Sequence, residues 1–198
     1  MSNGQRSSSG WVIGLAALIL IVGGTAAWLT WKSTAPTPTP VVSPTSSVVT
    51  AEKLEIYWLQ ANQGSLKFSP TLIKLSDLDP GDRTPASVLK AGLERLLAGP
   101  ANPNLTTTIP IGTQLNSLKV ESDGVHLDLS KEFLSGGGSV SMQGRLGQII
   151  YTASSLDPKA KVWVSIAGEP LKVLGGEGLE VQQPMTRQLF EQDFQIGS

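Results

Sequence analysis

The chain has 198 residues, with 15 Lys+Arg against 16 Asp+Glu, one His and no Cys, for a formal net charge of −1. Without cysteine it forms no disulfide scaffold, thiolate nucleophile or Cys-ligated metal centre, and one His excludes a His-rich metal site within a single chain. Charge is unevenly spread: Arg6 and Lys32 give the first 50 residues +2, whereas residues 51–198 hold 13 basic and 16 acidic residues, or −3, so no basic face exists for a nucleic-acid duplex.

After a short N-terminus (1–10), residues 11–31 read WVIGLAALILIVGGTAAWLTW and carry no charge. A helix of that length spans about 31 Å, enough for a hydrocarbon core of ~30 Å. Trp11 stands at one end and Trp28 and Trp31 at the other, where indole rings favour the headgroup level. The segment is therefore predicted to be one transmembrane helix, an uncleaved signal anchor. The N-terminus is expected in the cytoplasm and the C-terminal domain outside the cell membrane. The alternative is a signal peptide cleaved near Thr25-Ala26-Ala27, which would leave a secreted protein.

Residues 32–51 contain Pro36, Pro38, Pro40 and Pro44 among Ser and Thr. Alternating Thr-Pro favours polyproline II, so this linker is a semi-rigid spacer holding the next domain off the bilayer.

A globular domain is expected over 52–187, followed by a tail over 188–198. Leu54–Leu59 and Thr71–Leu75 have strand composition. Thr84-Pro85 reads as the N-cap and first position of a helix with apolar residues Val88, Leu89, Leu93, Leu96 and Leu97, stopped by Gly99-Pro100. Leu115–Val120 and Val125–Leu129 alternate as strands across Ser122-Asp123-Gly124, where Asp123-Gly124 is expected to supply the positive-φ positions of a tight hairpin. Gly136-Gly137-Gly138 precedes a second helix with Met142, Leu146, Ile149, Ile150, Ala153 and Leu156 on one stripe, ended by Asp157-Pro158. Lys161–Ile166 alternates again, and Gly168-Glu169-Pro170 turns it toward Leu171–Leu174. The tail carries Leu189, Phe190, Phe194 and Ile196 and is expected to dock as a short amphipathic helix. The pattern predicts an α+β fold: an antiparallel or mixed β-sheet with two helices packed on one face, preceded by the transmembrane helix and the Pro-rich linker.

Several of these segments, in this order, carry a family resemblance. Gly92–Pro100 (GLERLLAGP) resembles the LL-x-GP signature of the GerMN domain, and Ile109-Pro110-Ile111-Gly112-Thr113 resembles its IP-x-GT. Asp123–Ser130 (DGVHLDLS) is similar to DG-x-V-x-V-D-L-S, and Pro184-Met185-Thr186-Arg187 to the closing P-x-x-R. Thr71–Leu75 departs from the pattern by lacking the Pro and Arg often found there. The resemblance covers about residues 54–187. It implies an extracytoplasmic module behind a membrane anchor, acting in binding or assembly, with no catalytic residues to transfer.

His126, Asp128 and Ser130 invite a hydrolase reading, but alternate residues on one strand lie about 6.6 Å apart along it. A catalytic triad needs the nucleophile near 3 Å from its base and the third group beyond the imidazole, which this spacing does not provide. The trio is read as an outward polar face, with Ser130 turning the chain. The glycine loop, with Arg145 one turn into the following helix, could receive an anion, though it lacks the Lys-Ser/Thr of a P-loop. Arg187 is read first as an anchor for the C-terminal segment. Asp128, Ser130, Arg145 and Arg187 are thus the candidate ligand-binding residues, with no catalytic residue, metal or cofactor expected.

The function expected is a non-catalytic extracytoplasmic module whose partner is a cell-envelope protein or a cell-wall component, with no nucleic acid involved and oligomerisation open. One alternative is a cell-envelope hydrolase using carboxylates such as Asp128 and Glu132. The other is a self-assembling structural subunit.

Overall fold

The structure is a computed structural model that describes residues 53–62, 65–77, 82–175 and 178–194, all within the second of two compact units, Ser46–Ser198. The anchor over 11–31 and the linker over 32–51 lie outside the described residues. Among the described residues, no helix is long and apolar enough to cross a membrane.

The chain opens with a hairpin of β1 (Lys53–Asn62) and β2 (Ser65–Lys74), antiparallel with Lys53 opposite Lys74 and Asn62 opposite Ser65. Strand β2 is longer than its composition suggested and includes Pro70, which faces Tyr57. Proline fits because Tyr57 turns its own N–H and C=O away from β2. Its N–H donates to Thr152 Oγ1 at 3.1 Å, and its C=O accepts from Gln148 Nε2 at 3.1 Å. The missing amide of Pro70 therefore breaks no ladder bond.

Helix α1 (Pro85–Leu97) starts where Thr84 accepts the Ser87 N–H at 3.3 Å. Its buried face is Val88, Leu89, Gly92, Leu93 and Leu96. It ends at Ala98, with Gly99 following at φ 89°. The loop after it returns to β1, where Leu59 and Thr106 exchange backbone hydrogen bonds of 2.9 and 2.7 Å.

Strands β3 (Leu115–Glu121) and β4 (Gly124–Leu129) form the expected hairpin, with a register shift between Leu115 and Ser117. Its loop is Ser122-Asp123, closed by the Glu121–Gly124 pair. Only Gly124 has positive φ, at 145°. That corrects the expectation that Asp123 shares this conformation. Glycine is required at 124 for a second reason as well. A Cβ there would stand 2.2 Å from the Lys161 carbonyl oxygen, to which Val125 N–H donates at 2.8 Å.

Helix α2 (Ser139–Ala153) then crosses to β5 (Val162–Ile166), which pairs with β4 in parallel, Val125 opposite Val162 and Leu129 opposite Ile166. Leu156, expected on the helical stripe, lies beyond the last turn. The segment Leu171–Leu174 is not one strand. Strand β6 (Glu169–Pro170) pairs with β5, and β7 (Val173–Leu174) pairs instead with β8 (Leu179–Glu180). The larger sheet is therefore mixed and four-stranded, in the order β3-β4-β5-β6. The free edge of β5 is finished by the C-terminal segment. Val162 and Met185 exchange backbone bonds of 2.8 and 2.9 Å. Next to them, the Gln183 amide accepts from Val164 N–H at 2.7 Å and donates to Val164 O at 2.6 Å.

The tail forms a third α-helix, α3 (Arg187–Asp193), so the described residues hold three α-helices, besides two short 3-10 turns, where two helices were predicted within the domain. Phe190 and Phe194 are buried in the same apolar cluster as Leu93, Leu96, Leu146, Ile149, Val164 and Phe133. The residues from 188 to 194 thus continue the body. Burying each such side chain contributes roughly 1.5–3 kcal/mol.

Candidate functional site

Alternation along the central strands divides their side chains between two environments. Val125, Leu127 and Leu129 of β4 and Val162, Val164 and Ile166 of β5 point into the core, which turns His126, Asp128, Trp163 and Ser165 outward. Parallel register sets His126 beside Trp163 and Asp128 beside Ser165, while β3 brings Lys119 opposite His126 and Ser117 opposite Asp128. Together these side chains line a shallow groove of about 190 Å³. The His126 and Trp163 rings stack across the strands, 5.5 Å between centroids and 9° between planes. His126 Nε2 lies 2.9 Å from Asp123 Oδ1 in the hairpin loop. That contact holds the exposed Asp123 carboxyl below the usual carboxylate range. Trp163 Nε1 is enclosed without a hydrogen-bond acceptor.

Each of the predicted site residues has hydrogen-bond partners within the fold. Asp128 accepts from Gly168 N–H at 2.7 Å and from Asn116 Nδ2 at 2.8 Å, tying the β5–β6 turn and β3 to β4. Ser130 accepts from Gln114 N–H at 3.0 Å, and its own N–H donates to Gln114 O at 2.9 Å. The Ser130 hydroxyl also holds the Glu132 carboxyl below its usual range. His126 and Asp128 on β4 and Ser130 just beyond its end each have a partner outside the trio, and the nucleophile–base–carboxylate chain of a triad is absent from these contacts.

Arg145 lies inside, 2% exposed. Its Nη1 donates to Phe133 O at 2.7 Å and Ser135 O at 2.9 Å, and its Nη2 to Gly136 O at 2.9 Å. Burial pushes its pKa below the ordinary guanidinium value. Its terminal nitrogens thus fasten the glycine loop, while Nε has no partner. Arg187 is the anchor its sequence position suggested. Its Nε donates to Ser154 Oγ at 2.8 Å and its Nη2 to Tyr151 O at 2.9 Å, at the C-terminal end of α2. Its Nη1 donates to the Tyr57 hydroxyl at 3.1 Å. The guanidinium also sits 5.0 Å from the ring centroids of both Tyr57 and Tyr151. A cation at a helix C-terminus, over two aromatic faces, is well placed electrostatically. Asp128 and Ser130 thus belong to the outward strand and its turn, whereas Arg145 and Arg187 brace the body at two different places.

Sequence reasoning passed over Trp163, because its position inside an alternating strand carries no label beyond "outward". It also passed over the grouping of Glu121 and Asp123 with His126. The signal for that group was present in the spacing Glu121-x-Asp123-x-x-His126 across a hairpin turn, which returns the third residue to the first.

The family Germane, described as sporulation and spore germination, matches residues 55–172. Among solved structures, the first GerMN domain of the sporulation protein GerM from Bacillus subtilis superposes with a TM-score of 0.53 at 17% identity, covering 70% of this chain and 99% of that one. The tandem GerMN domains of the same protein give 0.49 at 22% identity, covering 75% of this chain and 48% of theirs, so this chain spans about half their length. A Clostridium perfringens protein assigned as a lipoprotein gives 0.48 at 20% identity, covering 69% and 87%. No curated protein matches the chain.

Proposed function

The chain belongs to the Germane family of sporulation and spore germination domains, and on that premise we propose that it is a non-catalytic binding or assembly module. The proposed place is the outer face of the cell membrane, with residues 11–31 as a single-pass anchor, residues 32–51 as a spacer, and a cell-envelope protein complex or cell-wall component as partner. The observation that carries the reading is the outward face of β3, β4 and β5. It gathers an aromatic pair with Ser, Lys and Glu side chains, while the residues that could have formed a catalytic chain are committed to holding loops. An anchor of 21 uncharged residues with tryptophans at both ends supports the location.

The reading is tested by a photo-crosslinking side chain at Ser165, within this face, in the full chain in its native cells, with a second one at exposed Lys90 on α1 as control. The expected result is a crosslink to an envelope protein or wall fragment from position 165 that position 90 does not give. Identical products from both positions, or cytoplasmic products, would overturn it.

A further inference from the structure

The turn between β3 and β4 gathers three side chains at one end of the groove, of which Glu121 and His126 also line it. Glu121 closes the hairpin, Asp123 sits in its loop, and His126 follows two residues into β4. One ligand atom of each lies within 4.8 Å of the others. Two carboxylates and one imidazole form a borderline donor set of the kind that takes Zn²⁺ or a neighbouring divalent transition ion. Nothing beyond a single His is needed for such a mixed site, and its three donors come from six residues of one hairpin.

We infer that Glu121, Asp123 and His126 bind one Zn²⁺ ion through a carboxylate oxygen each from the two acids and Nε2 of the imidazole.

Geometry and charge both favour it. Ligand bonds of about 2.0–2.2 Å place tetrahedral ligand atoms roughly 3.3 Å apart. His126 Nε2 and Asp123 Oδ1 are already 2.9 Å apart. Glu121 and Asp123 are both exposed, so their side chains are free to close the remaining distance by rotation. The imidazole is steadied by its stacking on Trp163, which reduces the freedom lost on binding. Lys119 faces His126 across the ladder and Lys161 lines the same cavity as Asp123; neither offers an ion a ligand at neutral pH, and the two carboxylates that would touch the ion outweigh them by proximity. Three protein donors leave a fourth position to the solvent side, open to water or to a donor from a partner.

The test uses the full chain in detergent micelles, stripped with a chelator and titrated calorimetrically with ZnCl₂. The expected result is one equivalent bound, with affinity falling at least about tenfold in His126→Ala and also in Glu121→Gln, since losing a direct ligand costs no less than losing a group that merely orients one. Both positions are on the open side of the hairpin, and circular dichroism checks that each variant is folded. Absence of binding by the unaltered chain, or an affinity unchanged by His126→Ala, would overturn the assignment. Neither outcome depends on the envelope partner, so the proposed function and this site stand or fall separately.

Discussion

Gln148 is fully buried in α2, yet it behaves as structural glue. Its Oε1 accepts from Thr107 Oγ1 at 3.0 Å and Thr108 N–H at 3.1 Å, and its Nε2 donates to Tyr57 O at 3.1 Å. One side chain thereby satisfies backbone groups of β1 and of the loop after α1, neither of which has a strand to pair with there. Gln148→Leu keeps the volume but strands the Tyr57 carbonyl and the Thr108 amide. At about 1–3 kcal/mol for each unsatisfied buried group, the expected loss is roughly 3 kcal/mol, read from urea unfolding. A loss below about 1 kcal/mol would mean that water reaches these groups. Next to it, Gly147 lets two rings approach: a Cβ there would come within 2.2 Å of Phe68 Cζ and 2.7 Å of Phe190 Cζ. These two roles were not legible in the sequence. A helical stripe shows which positions face inward. It does not show that a neighbouring strand lacks a partner, or that two phenylalanines from distant segments converge on one turn. The same limit hid the fate of Arg145, since nothing in its local sequence says that the carbonyls of residues 133, 135 and 136 await it.

At the scale of elements, α1 and the β3–β4 hairpin could be read directly, because Thr84-Pro85, Gly99 and Gly124 mark their ends with local chemistry. The short strands β6, β7 and β8 could not. They contain only two residues each, too few for alternation to show, and are defined only by their pairing, β6 with the end of β5 and β7 with β8. The third helix was foreseen as a docked tail. What fastens it is the junction where Arg187 meets Tyr57 and Tyr151. Both phenols are shifted upward from the usual value of 10.0, Tyr151 the more, by burial and then by hydrogen bonds to Glu191 and, for Tyr57, Glu55. The folded state therefore holds these protons more tightly than the unfolded chain does. The resulting stability is complete below about pH 10 and is lost as pH rises above it. Urea midpoints measured from about pH 8 to pH 11 should fall at the alkaline end, with a shallower fall in Tyr151→Phe, where one of the two phenols is gone. An equal slope in both proteins would show that Tyr151 ionises as freely in the native state as in the unfolded one.

The chain joins a domain with one apolar core among the described residues to an N-terminal stretch of contrasting composition. The family was legible because its marks lie where local chemistry demands particular residues: a helix stop, a turn and a glycine at a close backbone approach. The open sheet face was legible only in part. Alternation placed His126 and Asp128 outward, but the parallel pairing that brings Trp163 beside His126 depends on the crossover through α2, which short-range patterns do not encode. Asp128, a ligand candidate in the sequence, also ties Asn116 to Gly168, which no local pattern announces. Envelope binding without turnover is therefore tested by incubating the full chain with isolated cell wall and envelope fractions while recording both sedimentation and release of soluble fragments. The expected result is association with one of the two fractions and no fragment release. Steady release that disappears in the double variant Asp128→Asn, Glu132→Gln would contradict it and identify a carboxylate hydrolase instead.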